Sequence, residues 1–346
     1  MRKNLLRSTV RRIKGEVQLK KRAVLYAMAM VLLLFGGCSA EKELPKLSEV
    51  GFYLDTVITL TAYTEDAQIL KDAMEECGRY EQMLSRTIEG SDVWRINHAD
   101  GVPVEVSDDT AAILRCAEKI SEKSSGAFDI TIAPASMLWD FTSGKAELPD
   151  TEALAAAAAL VDYSKVQLEG NTVTLPEGMM IDLGGIAKGY IADKVKAYLE
   201  ERGVEHAILS FGGNIVAIGK KPDGKDWKVG IQDIDKPTGE YMLVVANRGG
   251  STVTSGIYER GFEVDGVRYH HLLNPKTGWP EQNELASVTI LSESSMEGDA
   301  LATAAFILGK EKGLELIESL PGIEAVFIER DRKVTCSSGA KNYIIQ

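Results

Sequence analysis

Three stretches put polar residues where a core would be apolar, and their residue types suit phosphate, metal and proton chemistry. "IDLGGIAKGY" (181–190) opens on Asp182 and two glycines and places Lys188 in the first turn of an expected helix. Gly184 and Gly185 let another group approach the backbone, and the unpaired N–H groups of a helix start attract anions. A cation at that end opposes the macrodipole, so Lys188 hints at a ligand; a plain tight turn explains the glycines equally well. "RYHHLLNPKTGWP" (268–280) holds two of the chain's four histidines. Histidine exchanges protons near neutral pH, yet neighbouring strand residues point to opposite faces. At most one of His270 and His271 enters a site, which disfavours a metal-binding pair. Surface and core-edge histidines are the plainer alternative. "EGDALATAAF" (297–306) sets Asp299 and Thr303 four apart on one face of a helix start. Carboxylate, hydroxyl and backbone carbonyl are hard ligands suited to Mg²⁺ beside a phosphate. An acid favoured by the helix dipole, with Thr303 merely packed, is the competing account.

Two further stretches are ambiguous. "SFGGNIVAIG" (210–219) reads as a hairpin turn or as a pocket floor. In "SSGAFDITIAPASMLWD" (124–140), Phe128 and Trp139 either join the core or flank an aromatic ligand. Asp129, in apolar surroundings, is harder to explain as packing.

The elements that would position these residues follow from periodicity. "FYLDTVITLTAY" predicts a strand, and the run after it predicts a helix that Asp66 or Glu65 begins. Ser107 caps a second helix that ends before Gly126, and "ALAAAAALVDY" is a third. "KVQLEGNTVTLP" predicts a hairpin, 186–202 a helix, and the stretch from 206 to 292 a succession of strands. A helix beginning near Glu297 breaks or ends at Gly309, and two short strands close the chain. Irregular alternation with hairpin-linked strands predicts an α+β fold of mixed, largely antiparallel sheets with packed helices.

Of 346 residues, the first 37 carry nine Lys or Arg and one acid. The apolar run "AVLYAMAMVLLLF" and "GGCSA" follow that basic region, the pattern of a secretory signal. An uncleaved anchor is the alternative, and either predicts an extracytoplasmic domain. A tether is expected over 38–49 and one folded domain over 50–346. Without residues 1–37, 50 acids face 30 bases, a net charge of −20. Such a surface disfavours nucleic acid and repels small anions unless a cation intervenes. Cys77, Cys116 and Cys336 are odd in number, so they cannot form a complete disulfide framework, and they read as buried thiols.

Taken in order, "GAFDIT…LWD", "IDLGGIAKGY", "SFGGNI", "STVTSGIYER", "YHHLLNPKTGWP", "SVTI" and "GDALATAAFILG" resemble the ApbE family of FAD:protein FMN transferases, from about Phe52 to Gly309. "GGC" likewise resembles a lipobox, making Cys38 a lipidated N-terminus of a membrane-anchored lipoprotein. The resemblance implies a Mg²⁺-dependent enzyme that cleaves FAD, links FMN by a phosphoester to a Thr or Ser of an exported or membrane redox protein, and releases AMP. Acceptors implied are Rnf- or Nqr-like subunits or extracellular flavoproteins bearing a Ser/Thr-Gly-Ala-Thr/Ser run. By position, Asp299, Thr303 and the Gly185 carbonyl would hold magnesium. Leu54, Ala127, Phe128, Asp129, Asp182, Lys188 and Leu273 would contact FAD, Lys188 also assisting catalysis, and His271 would be the base. "LDT" (54–56) stands where the family has Met-Gly-Thr, and Ala302 where some members carry a second acid. An FAD pyrophosphatase, releasing FMN and AMP to water, fits nearly the same motifs; a non-catalytic flavin- or solute-binding lipoprotein is the alternative from another class.

Overall fold

In a computed structural model describing residues 44–237 and 239–345, the expected strand "FYLDTVITLTAY" is two strands. β1 (Lys46–Tyr53) and β2 (Thr56–Tyr63) pair antiparallel across Leu54–Asp55, both at φ +55°. Two successive left-handed residues are what a two-residue hairpin turn requires, but neither is glycine or asparagine, so the turn left no mark in the sequence. Two long-range hydrogen bonds hold it: Leu54 N–H donates to Glu81 Oε1 at 2.7 Å, and Arg260 donates to the Asp55 carbonyl at 3.1 Å. Ordered strand therefore begins at Lys46, inside the stretch expected as tether. The expected leader and Cys38 lie outside the described residues.

Helix α1 (Ala67–Leu84) starts at Asp66, whose carboxylate accepts from Gln68 N–H, and buries Leu70, Ala73, Met74, Cys77, Tyr80 and Leu84 at helical spacing. Short α2 (Asp92–Asn97) precedes β3 (Val104–Glu105) and α3 (Asp108–Lys123), which Ser107 caps as expected. A 3₁₀ turn at Ile130–Ile132 leads into α4 (Ala133–Ser136); α5 (Thr151–Ala158) and the hairpin β4 (Gln167–Glu169)–β5 (Thr172–Thr174) follow. Then come α6 (Ala187–Glu201), β6 (Ala207–Phe211), β7 (Asn214–Ile218), β8 (Trp227–Gln232), β9 (Tyr241–Asn247) and β10 (Ser251–Gly256). The hairpin β11 (Gly261–Val264)–β12 (Val267–His270) and strand β13 (Leu285–Ser292) lead to α7 (Ser295–Glu318). Gly309, at φ +76° and ψ 173°, leaves helical backbone and breaks α7 at that point, as expected. β14 (Glu324–Glu329) and β15 (Val334–Cys336) close the fold.

Eight strands form one antiparallel sheet in the order β1-β2-β6-β7-β10-β13-β14-β15. One face packs against α1, α6 and α7, with α3 behind α7, around a core that includes Ile58, Leu60, Leu209, Val216 and Phe306. Part of the other face is covered by the β8–β9 ribbon through Val229, Ile231 and Val245. This is the α+β architecture anticipated from the alternation of elements. From Pro45 onward the described residues form one compact unit. No helix among them is long and apolar enough to cross a membrane. Cys77 and Cys116 are buried free thiols, which burial pushes up to about 12 and about 11; Cys336 is half-buried and also free.

Candidate active site

The turns at one end of the sheet, together with the starts of α6 and α7, bring the expected site residues together. Gly189 is the hinge of this arrangement. A Cβ there would lie 2.2 Å from the Ser295 carbonyl oxygen, so only glycine lets α6 come this close to the start of α7. That approach delivers the Gly189 N–H to Asp299 Oδ2 at 2.9 Å. Asp193, one turn later on α6, accepts from Ser295 N–H, Met296 N–H and the Ser294 hydroxyl, satisfying donors at the start of α7. The other Asp299 oxygen faces Lys188 Nζ at 3.7 Å, and Lys188 also donates to the Gly184 carbonyl at 3.3 Å. Asp299 is 3% exposed, so a buried carboxylate with one oxygen turned to a cation is built into the site.

Gly184 and Gly185 do not adopt left-handed backbone; space explains them instead. A Cβ on Gly185 would press on the Phe128 ring at 3.2 Å and lie 3.7 Å from Thr303 Oγ1, which puts Gly185, Phe128 and Thr303 against one another. Asp182 accepts from Gly184 N–H at 2.8 Å and pairs with Arg86 at 3.2 Å, shaping the loop before α6.

The two histidines separate as strand alternation requires. His270 is fully buried, edge-on to Phe306, with Nε2 at 3.1 Å from the Glu281 carbonyl. Burial, aided by Arg330, pulls it down to about 4. His271, just past the strand, places Nδ1 3.4 Å from the Arg260 carbonyl. A carbonyl can only accept, so Nδ1 carries the proton and Nε2 keeps its lone pair. Burial, and next the Lys188 charge, pull this imidazole down to about 3. It is therefore neutral throughout the neutral range.

Glu259 and Arg260 went unnoticed as site residues in the sequence. Burial pushes the Glu259 carboxyl up to about 7; Lys188 opposes the shift and Asp299 reinforces it. Yet its side chain is open to solvent. An accessible group that is nevertheless desolvated belongs to a cleft, ringed by protein but open above. Gly213 faces it: a Cβ there would lie 2.9 Å from Glu259 Oε1. Asn214 beside it is buried with neither side-chain amide atom paired among the described residues. The acidic motif "YER" carried no spacing signal, and only the tertiary contacts disclose it.

Other expected contacts sit differently. Asp129 is fully engaged by Thr131 N–H, the Thr131 hydroxyl and Tyr163 N–H, so its buried carboxylate organises the Ala127–Thr131 turn from within. Ala127 and Phe128 are buried in the main core; Leu54 is half-buried on the β1–β2 turn. Leu273 and Trp139 belong to an apolar cluster with Phe262, Tyr269 and Trp279, next to His271 in the chain. A cavity of about 490 Å³ near Asp193, Glu200, Glu293 and Glu297 is lined by four carboxylates and one lysine, unsuited to a phosphate, and includes neither Lys188 nor His271.

With one carboxylate, a hydroxyl and backbone carbonyls at hand, the Asp299–Thr303–Gly185 corner offers hard oxygen donors. Among the described residues no group of three His, Cys, Asp or Glu could hold a metal, so any cation here would rely on neutral oxygens and substrate. These donors meet a neutral histidine and a lysine in one cleft.

A family model described as the ApbE family matches residues 54–327, a span that contains every one of these groups. The chain is 35% identical over 334 residues to the FAD:protein FMN transferase of Treponema pallidum (strain Nichols), covering 90% of this chain and 92% of that protein. It is 37% identical over 288 residues to a protein of the same name from Klebsiella pneumoniae (strain 342), covering 81% and 88%. Among solved structures, the ApbE protein of Thermotoga maritima matches with a TM-score of 0.80 at 30% identity, over 87% of this chain and 100% of that one. The flavin transferase ApbE of Vibrio cholerae matches with a TM-score of 0.78 at 27% identity, over 87% and 99%. The matched span holds more than half the sequence, and the chain belongs to the ApbE family.

Proposed function

We infer that this chain is an FAD:protein FMN transferase. The observation that carries the reading is the meeting of His271, its Nε2 unprotonated, with Lys188 and the Asp299–Thr303 pair in one cleft. Lys188 supplies positive charge for the FAD pyrophosphate, which the net −20 of residues 38–346 otherwise repels. His271 Nε2 takes the proton of an acceptor Thr or Ser hydroxyl. That oxygen forms a bond to the FMN phosphorus as the pyrophosphate P–O bond breaks, and AMP leaves. A positioned base contributes about 10²–10⁴ in rate. Its low proton affinity rises once the pyrophosphate offsets the Lys188 charge, since nearby anions favour imidazolium.

Asp299, Thr303 and the Gly185 carbonyl would hold Mg²⁺, which supplies Lewis-acid neutralisation of phosphate charge. The acceptor is an exported or membrane redox protein with a Ser/Thr-Gly-Ala-Thr/Ser run. Cys38 anchors the enzyme to the membrane as an extracytoplasmic lipoprotein; the leader pattern supports this.

The test is the intact mass of an acceptor domain bearing that run, incubated with the protein, FAD and Mg²⁺, with and without EDTA. The expected result is a gain of FMN less water, abolished by EDTA. An unchanged acceptor with free FMN and AMP would make the protein an FAD pyrophosphatase.

A further inference from the structure

The carboxylate of Glu259 has a place in the cleft but no structural bond. The β11–β12 hairpin pairs Gly261 with His270, and one step on, the Arg260 carbonyl accepts from His271 N–H at 3.3 Å. Glu259 follows directly, outside the hairpin, with its side chain against the β6–β7 turn. A Cβ on Gly213 would lie 2.7 Å from the Thr254 carbonyl oxygen and 2.9 Å from Glu259 Oε1, so the carboxylate sits over glycine backbone.

The buried carboxylates that hold the fold together are fully bonded. Asp129 takes Thr131 N–H, the Thr131 hydroxyl and Tyr163 N–H; Asp193 takes Ser295 N–H, Met296 N–H and the Ser294 hydroxyl. Glu259 has no such donors. Burial and the charges of Lys188, Asp299 and Arg260 set its proton affinity, with no hydrogen bond among the causes. Holding a carboxylate desolvated and unbonded costs stability, so its reason lies in the site.

The neighbouring charges show what it does there. Lys188, the cation for the pyrophosphate, already faces Asp299 Oδ1 at 3.7 Å. Glu259 adds a second carboxylate within reach of the same lysine. Arg260 directs its guanidinium to the Asp55 carbonyl on the β1–β2 turn, and His271 is neutral. One lysine thus serves two carboxylates before a pyrophosphate brings further negative charge. In a desolvated cleft, salt and water screen that repulsion poorly.

We propose that Glu259 makes FAD binding conditional on the divalent cation: its carboxylate opposes the bare pyrophosphate, and the cation arriving with FAD offsets that opposition. The proposal rests on the transferase reading above. Glu259 then selects cation-loaded FAD without itself holding the cation. By linkage, it strengthens the mutual dependence of FAD and cation binding.

The test measures the FAD Kd of the full chain and of its Glu259→Gln and Glu259→Asp variants by quenching of flavin fluorescence. Rapid mixing at pH 8 reads binding before cleavage and keeps the Glu259 carboxyl ionised, above its value of about 7. Each protein is titrated with Mg²⁺ and with EDTA. The wild type should bind FAD about tenfold or more weakly in EDTA, a coupling of ordinary size. Glu259→Gln should bind about tenfold tighter than wild type in EDTA and within about twofold of it in Mg²⁺. Glu259→Asp, which keeps the charge, should keep the wild-type dependence. An unchanged Mg²⁺ dependence in the Gln variant would overturn the proposal, as would a wild type that binds FAD equally in both conditions. An Asp variant that follows Gln would overturn it by assigning the effect to shape. A Gln variant weakened only in Mg²⁺ would overturn it in favour of Glu259 as a ligand of the cation. A wild type that binds FAD in neither condition would sink the transferase reading itself.

Discussion

At the scale of single residues, the site divides duties that the sequence shows only as a string of polar letters. His271 is kept neutral by desolvation and has its Nδ1 turned to one carbonyl, which leaves Nε2 unprotonated for the role of base proposed above. Replacing His271 with Ala should leave FAD binding intact and lower FMN transfer about 10²–10⁴-fold; normal transfer in a single-turnover mass assay would remove it as the base. Asp299 has two separable tasks, because one oxygen holds Gly189 N–H and the other faces Lys188. Asp299→Asn keeps an acceptor for the amide but loses the charge, so it should retain the wild-type Tm while losing Mg²⁺-dependent turnover. Asp299→Ala should lose both. Full activity in the Asn variant would exclude the carboxylate from metal binding. Asp129, by contrast, resisted reading as packing for a local reason: its three bonds are an internal cap, visible only once Tyr163 is folded back onto it.

At the scale of elements, contact between α6 and α7 creates the corner where Asp299 meets Gly189 N–H and Lys188. Gly189→Ala would force a methyl into the Ser295 carbonyl, where the obstacle is backbone and cannot swing away. The expected cost is about 3 kcal/mol of stability, with loss of turnover because Asp299 is displaced. Urea unfolding and the FAD turnover rate check this; a stable, active Ala variant would show that the helices can separate without harm. The helix cap at Ser107 and the strand spans of β6, β7, β8 and β13 were legible in the sequence, and the first helix start was narrowed to Glu65 or Asp66, since each depends on residues within a few positions. The β1–β2 turn was not. Its left-handed Leu54 and Asp55 are held by Glu81 and Arg260, which lie 27 and 205 positions away in the chain.

At the scale of the whole molecule, His270 ties global stability to pH. Its value falls from 6.5 to about 4 on folding because burial penalises the charged ring. The unfolded chain thus binds more protons between these values. The contribution is fully present above about 6.5 and is lost as pH drops towards 4, up to about 3 kcal/mol. His271, also depressed, adds a limb of the same sign. His270→Phe should flatten this acid limb in thermal melts recorded from pH 7 to 4; an unchanged slope would assign the acid sensitivity elsewhere. Sequence alone determined the α+β class, because strand alternation, helix periodicity, caps and glycine turns are local consequences of residue type, while the membership of the site came from the family resemblance. It also separated the roles of His270 and His271, since adjacent strand residues must face apart. The resemblance had already singled out His271; tertiary structure alone decided that its Nδ1 faces the Arg260 carbonyl and that Glu259 lies within reach of Lys188 and Asp299. It alone showed that Gly189 is required by a helix crossing rather than by a turn. Those facts depend on which surfaces meet across the sheet, and burial and backbone approach are properties of that meeting, not of any stretch of chain.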